Sequence, residues 1–339
     1  MKTVFLTGAT GFIGRHVVAA LLRRGCRIRC LVRTTSDVRH LQDESIELVE
    51  GSLRDLRSVA EALVGCDTVL HLGGIVTSAS EAELNAINGT ACGALADLCR
   101  ALPAPPRFVY VSSLAAAGPP PEGKAVRTEE DPPAPFSLYG QSKRLGEIEL
   151  QRRAGELPIT VIRPGIVYGP ADRNVAVLFR AIYRTRVHVV IGFRTPPLSL
   201  FYVDYLVSLI LAAAERGERL PPGPAPPAAG QGVYQACDDR EFPDYREFGK
   251  RIAAALDRRV IVWPLWRWVG RGVSFTVETG SRLCGRSSFL TVDKVREATA
   301  SSWACSGEKA RQQLGFVPPQ RLDARLRETG EWFREAGWL

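Results

Sequence analysis

Long hydrophobic runs are missing from this 339-residue chain. No stretch reaches the ~18 uninterrupted apolar residues of a membrane-spanning helix, which argues against a transmembrane segment. Histidine is scarce, with four in all, and the eight cysteines (Cys26, Cys30, Cys66, Cys92, Cys99, Cys237, Cys284 and Cys305) form no CxxC pair. With no His/Cys cluster at metal-ligand spacing, no metal centre is expected. Cys30, Cys92 and Cys99 stand in apolar stretches and read as small core residues. No signal peptide precedes the first apolar strand at Val4–Leu6, so the cysteines point to a reducing, cytoplasmic setting.

Lysine is also scarce. Six lysines stand against thirty-eight arginines within a net charge of +8. The arginines are dispersed and no dense basic run appears, which speaks against a nucleic-acid partner.

What the chain does have is glycine at particular places. Thr7-Gly8-Ala9-Thr10-Gly11-Phe12-Ile13-Gly14 follows the first strand and opens a helix expected over Ile13–Arg24. In that setting Gly8 permits a tight turn, Gly11 lets backbone approach a pyrophosphate, and Gly14 lets helix and strand pack closely. The diphosphate would sit on the free amides of the helix N-terminus, with Thr10, Phe12 and Ile13 completing the turn. Further along, Tyr139-Gly140-Gln141-Ser142-Lys143 puts a phenol and an ammonium on one helical face. A phenol of pKa about 10 is a poor proton carrier at neutral pH, and a neighbouring ammonium favours its ionised form.

These motifs resemble the extended short-chain dehydrogenases/reductases, the NAD-dependent epimerase/dehydratase family, and the resemblance covers nearly the whole chain. It runs through His71-Leu72-Gly73-Gly74, Val109-Tyr110-Val111-Ser112-Ser113, Tyr139/Lys143, Arg163-Pro164-Gly165-Ile166-Val167-Tyr168-Gly169-Pro170 and Tyr202-Val203-Asp204. The resemblance implies that Tyr139 is the general acid/base of a carbonyl–alcohol couple. It implies that Lys143 binds the nicotinamide ribose and lowers the tyrosine pKa, and that Ser113 bonds the reacting oxygen. Ser112, Leu72, Gly73 and Gly74 would line the cofactor, and the Pro164–Val167 backbone would fix the nicotinamide amide. At the adenine end the usual Asp-Leu is Ser52-Leu53, where the serine can still bond the adenine amino group.

Departures from the family pattern narrow the chemistry. Leu114 and Ala115 stand where dehydratases carry Asp-Glu, so dehydration is not expected. Leu198 and Ser199 replace an Arg-Asp pair that serves sugar pyrophosphates, and Ala86 replaces an asparagine, with Asn85 adjacent. A sugar nucleotide therefore loses support and an apolar ketone or alcohol gains it. The chain in this respect resembles the 3β-hydroxysteroid dehydrogenase and dihydroflavonol reductase group. Where the second strand ends, an acid would select NAD. Val32 stands there instead, followed by Arg33, which can pair with a 2′-phosphate. NADP(H) is expected over NAD(H).

Strands expected at Arg27–Val32, Ile46–Val49, Thr68–Leu72, Phe108–Ser112 and Ile159–Ile162 alternate with helices at Leu56–Val64, Leu84–Ala101 and Tyr139–Ala154. That pattern is a doubly wound α/β parallel sheet, a Rossmann fold. Residues 1–170 form the cofactor domain and 171–339 a substrate lobe, with 203–216 returning to the core and Asp204 capping a helix over Tyr205–Glu215. The proline-rich Gly118–Pro135 reads as a loop over the active site. Pro221–Gly230 reads as a surface insertion without chemistry. The Trp263–Trp268 stretch, flanked by Arg258, Arg259, Arg267 and Arg271, resembles a pocket wall or core segment and also a peripheral membrane contact. The helices before Ser113 and at Tyr139 resemble those of a homodimer contact. The expected activity is alcohol–ketone interconversion on an apolar small molecule. The rival is a nucleotide-sugar epimerase with retained NAD and a contact at Asn174; a third reading is a non-catalytic cofactor-sensing regulator.

Overall fold

A computed structural model of the chain describes residues 1–56, 58–78, 80–223, 230–266, 296–297 and 300–339. Its centre is a seven-stranded, all-parallel sheet of order β10-β6-β5-β4-β1-β2-β3. The strands are β1 (Thr3–Thr7), β2 (Arg27–Val32), β3 (Ile46–Glu50), β4 (Thr68–His71), β5 (Arg107–Val111), β6 (Ile159–Pro164) and β10 (Val233–Ala236). The inner strands are apolar almost throughout because helices cover both faces. Val4, Leu6, Leu70, Val109 and Ile162 belong to one core, and Phe5, Val69, Phe108, Tyr110 and Val161 to the other.

The helices include α1 (Phe12–Arg23), α2 (Val59–Leu63), α3 (Glu81–Asn85), α4 (Ala91–Arg100), α5 (Leu114–Ala117) and α6 (Leu138–Gln151). The run expected as one helix over Leu84–Ala101 is interrupted by a π-turn at Ala86–Thr90. That wider turn carries Gly89, where a side chain would collide with Leu145 of α6. The close approach of the two helices depends on the missing Cβ.

Two parts of the C-terminal half pack against the sheet. The first is α8 (Val203–Arg216); the second is β10, which was not foreseen and forms the sheet edge beside β6. Asp204 does not cap α8. The helix begins at Tyr202, which supplies no side-chain cap, and Asp204 lies in the first turn, 3.0 Å from His16 Nδ1 on α1.

The remaining lobe has α7 (Arg173–Thr185), α9 (Tyr245–Ala255), α10 (Glu308–Leu314) and α11 (Leu322–Glu335). It also has two parallel ribbons: β7 (Ile166–Tyr168) with β9 (Leu200–Tyr202), and β8 (Val187–Ile191) with β11 (Ile261–Leu265). The Gly118–Pro135 loop is tied down. Arg127 is buried, its guanidinium donates to the carbonyls of Pro119, Asp131 and Pro132, and its backbone pairs with Ala304 and Ser306. Arg267, Trp268, Arg271 and Cys284 lie outside the described residues, as does most of the Pro221–Gly230 stretch.

Candidate active site

The site is assembled at the C-terminal edge of the parallel sheet. Gly8 follows β1 with φ +79°, and a Cβ there would stand 2.9 Å from the Gly73 nitrogen. A Cβ on Gly14 would stand 2.0 Å from the Gly8 oxygen. Both glycines are therefore required by backbone packing, and they hold the start of α1 against β1 and β4. Gly11 begins α1 with no side-chain cap, so the first-turn amides are available to an anion. This cradle fits the diphosphate of a dinucleotide. Thr10, Phe12 and Ile13 are half-buried around it.

The wall after β4 is held by two residues that the sequence reading did not single out. Thr7 Oγ1 accepts from the Gly73 amide at 2.9 Å. Asn88, fully buried on the π-turn, accepts from the Ile75 amide at 2.9 Å and donates to the Ile75 carbonyl at 2.8 Å and to Ser142 Oγ at 2.9 Å. The signal for Asn88 was a polar residue in an otherwise apolar helical face. Behind this wall His71 lies between Thr7 Oγ1 at 2.7 Å and Cys92 Sγ at 3.1 Å, and burial holds its pKa down to about 3.

Tyr139 and Ser113 meet. The Ser113 hydroxyl lies close enough to favour the ionised form of the Tyr139 phenol, and Ser113 also caps α5 by accepting from the Ala115 amide at 3.2 Å. Burial pushes the Tyr139 phenol up to about 12; the Ser113 hydroxyl pulls the other way, and the Glu297 charge adds to the rise. Lys143 lies one turn on. Its Nζ donates to the Val111 carbonyl at 2.9 Å and lies 4.6 Å from the Tyr110 ring centre, while burial lowers it to about 8. The expected lowering of the tyrosine pKa by Lys143 is not seen here, because the ammonium is turned to the strand end.

Ser112, expected to line the cofactor, is engaged on the protein side. Its hydroxyl donates to Glu147 Oε1 at 2.7 Å, and Glu147 is clamped by Arg163 at 2.8 and 2.7 Å and by Arg144 at 2.8 Å. Burial opposes ionisation of Glu147, but Arg163 and these hydrogen bonds overcome it and hold the carboxyl at about 2. This buried cluster binds α6 to β6.

In the segment expected to face the nicotinamide, Pro164 ends β6, and the Gly165 and Ile166 amides donate to the Ala236 carbonyl at 3.0 Å and to the Ser199 carbonyl at 2.8 Å; Val167 is half-buried beside them. Ser199 Oγ accepts from the Cys305 amide at 2.9 Å, and Leu198 is buried where its backbone pairs with Trp303. Trp303 in turn packs on Phe136 with ring centres 5.8 Å apart, three residues before Tyr139. At the adenine end Arg33 is exposed, and its guanidinium has no partner among the described residues. Its backbone amide bonds Ser36 Oγ at 3.2 Å. Ser52 Oγ accepts from the Arg54 amide at 3.0 Å, and Leu53 is half-buried against the position of Gly73. Asn174 is exposed on α7.

Comparison with known proteins agrees with this geometry. The profile described as "NAD dependent epimerase/dehydratase family" matches residues 4–225. The ceramide reductase of Caulobacter vibrioides is 28% identical over 339 residues, covering 99% of this chain and 96% of that protein. The 3β-hydroxysteroid dehydrogenase/Δ5→4-isomerase of Mycobacterium tuberculosis is 28% identical over 342 residues, covering 93% and 86%. Among solved structures, the UDP-glucose 4-epimerase of Thermotoga maritima with UDP-glucose superposes with a TM-score of 0.76 at 21% identity over 98% and 99% of the chains, a likeness of fold. With a matching profile over most of its length and a glycine turn built to take a dinucleotide, the chain belongs to the NAD-dependent epimerase/dehydratase family of extended short-chain dehydrogenases/reductases and is a nicotinamide-dependent oxidoreductase.

Proposed function

We propose that this enzyme interconverts a secondary alcohol and a ketone on a lipophilic small molecule, using NADP(H) in preference to NAD(H). The observation that carries the reading is the Ser113–Tyr139 hydroxyl pair, followed by Leu114 and Ala115 rather than by acids. Two neighbouring hydroxyls suit a carbonyl oxygen, whereas elimination needs further proton carriers beside Ser113.

The nicotinamide supplies or takes the hydride when bound. Ser113 and Tyr139 hydrogen-bond the substrate oxygen and fix its position against that face. Tyr139 gives the oxygen its proton in reduction. A phenol pushed up to about 12 remains protonated at neutral pH, so Tyr139 carries the proton that reduction requires. Lys143 holds the ribose and links it to the strand end carrying both serines.

A lipophilic substrate is supported by buried Leu198, whose backbone pairs with that of Trp303, and by the Phe136–Trp303 contact near Tyr139. The relatives named for ceramide and for 3β-hydroxysteroids act on molecules with large apolar bodies, as does the Stigmatella aurantiaca ketoreductase named for a farnesyl dihydroquinoline oxide. Arg33 supports NADP(H), since a free guanidinium at the end of β2 suits a 2′-phosphate. The test is turnover with NADPH and NADH against long-chain, steroid-like and terpenoid ketones beside UDP-sugars. Ketone-dependent oxidation of NADPH is expected. Turnover confined to UDP-sugars with retained NAD would replace this reading with epimerisation.

A further inference from the structure

In the β8–β11 ribbon alternate residues point to opposite faces. The inward face rests on α7 and α9, where His188 is buried with Nε2 2.9 Å from the Tyr245 carbonyl. The outward positions are Val187, Val189 and Ile191 on β8 and Ile261, Trp263 and Leu265 on β11, paired in register as Val187–Ile261, Val189–Trp263 and Ile191–Leu265. No outward position is polar. A ribbon facing water on one side would alternate apolar and polar residues. Just beyond the strands, Phe193 and Trp266 meet edge to face at 5.3 Å. Val189, Phe193, Ile261, Trp263 and Trp266 are each between 48% and 65% exposed, an apolar surface too concentrated for scattered single residues.

The rim of this face is cationic. Arg184 and Arg186 precede β8, Arg258 and Arg259 precede β11, and Arg194 follows β8. All five are exposed, and none has a carboxylate partner among the described residues. The nearby Asp257 is engaged by Arg327 at 3.7 Å.

We propose that this face docks on a lipid bilayer bearing anionic headgroups. Trp263 and Trp266 suit the headgroup level, the aliphatic positions suit the acyl boundary, and the arginines suit the negative surface. A second copy meeting the same face by two-fold symmetry would bring like-charged rims together, which disfavours it. The chain from β8 also leads through Leu198 to Trp303 and Phe136, so the docked face belongs to the lobe that walls the site. Delivery of a lipophilic substrate from the bilayer rests on the function proposed above; the docking itself does not.

The full-length protein is sedimented with vesicles of phosphatidylcholine plus phosphatidylglycerol, and with phosphatidylcholine alone. Trp263→Asp, Val189→Asp and Arg258→Gln/Arg259→Gln are run beside it, with thermal unfolding as the check that each exposed substitution leaves the fold intact. The parent is expected to pellet with the anionic vesicles. Trp263→Asp and Val189→Asp should each lower the bound fraction roughly tenfold, and the double arginine variant should lose the preference for anionic lipid. A parent that stays in the supernatant would overturn the proposal; a folded Trp263→Asp that pellets like the parent would also overturn it. The vesicles contain no substrate, so vesicle binding without ketone turnover would count against the proposed function alone.

Discussion

Lys143 Nζ donates to the Val111 carbonyl at 2.9 Å, and Val111 is the residue immediately before the Ser112-Ser113 pair. One side chain thus ties the helix carrying the acid/base to the strand end carrying its hydroxyl partner. The link gives Lys143 a positioning role beside the ribose contact proposed for it. Lys143→Ala is expected to lower turnover and weaken cofactor binding together, with a further loss of stability of about 1–3 kcal/mol from the unpaired buried carbonyl. Fluorescence titration of NADPH and thermal unfolding, measured beside kcat, separate the three effects.

Tyr139→Phe isolates the proton transfer. The ring stays and only the hydroxyl goes, so kcat should fall by roughly 10²–10⁴-fold while NADPH affinity stays within about twofold. Unchanged turnover in this variant would remove Tyr139 from the mechanism.

The rate should fall as pH rises through about 8, because burial lowers the Lys143 ammonium to that value and its charge is then lost. Lys143→Arg, whose guanidinium keeps its charge throughout, should abolish that alkaline limb even where its absolute rate is lower. A limb that persists in Lys143→Arg would assign it to another group.

Arg33→Ala should weaken NADPH by about 2–3 kcal/mol, the size of a charged hydrogen bond, and leave NADH nearly unchanged. Equal losses for the two cofactors, or a parent that binds NADH more tightly, would show that the guanidinium does not read the 2′-phosphate.

The Glu147–Arg163 pair gives an acid-stability prediction. Arg163 holds Glu147 at about 2, below the ordinary 4.5. A carboxylate lowered in the folded state contributes stability that is fully present above about pH 4.5 and is lost as pH falls through about 2. Glu147→Gln should flatten that part of the unfolding curve. It should also cost about 3–5 kcal/mol at neutral pH, since it leaves Arg163 buried without its charge partner.

Six of the seven sheet strands were legible to within a residue or two because a buried parallel strand is a short apolar run with little ambiguity, as at Thr68–His71 and Ile159–Pro164. The meeting of Ser113 and Tyr139 followed from motif order and strand-end position. What escaped was side-chain direction. The partners of Ser112 and Lys143 are chosen by burial and by the neighbouring Glu147 and Val111, which no local spacing encodes. Asp204 preceded a helical pattern and so looked like a cap, whereas the helix starts earlier and Asp204 reaches across to His16. The π-turn at Ala86–Thr90 differs from an α-turn by one residue, too small a change to disturb the apolar periodicity.

The edge position of β10 bears on how the chain must be handled. β6 is buried along its whole length, with β5 on one side and β10 on the other. A fragment ending at Pro170 would keep every cofactor motif yet present β6 as an uncovered row of amides and carbonyls, a template for pairing with other chains. The motifs proposed to hold the cofactor lie in the first half of the sequence, but the sheet that carries them is completed by a four-residue strand from the second half.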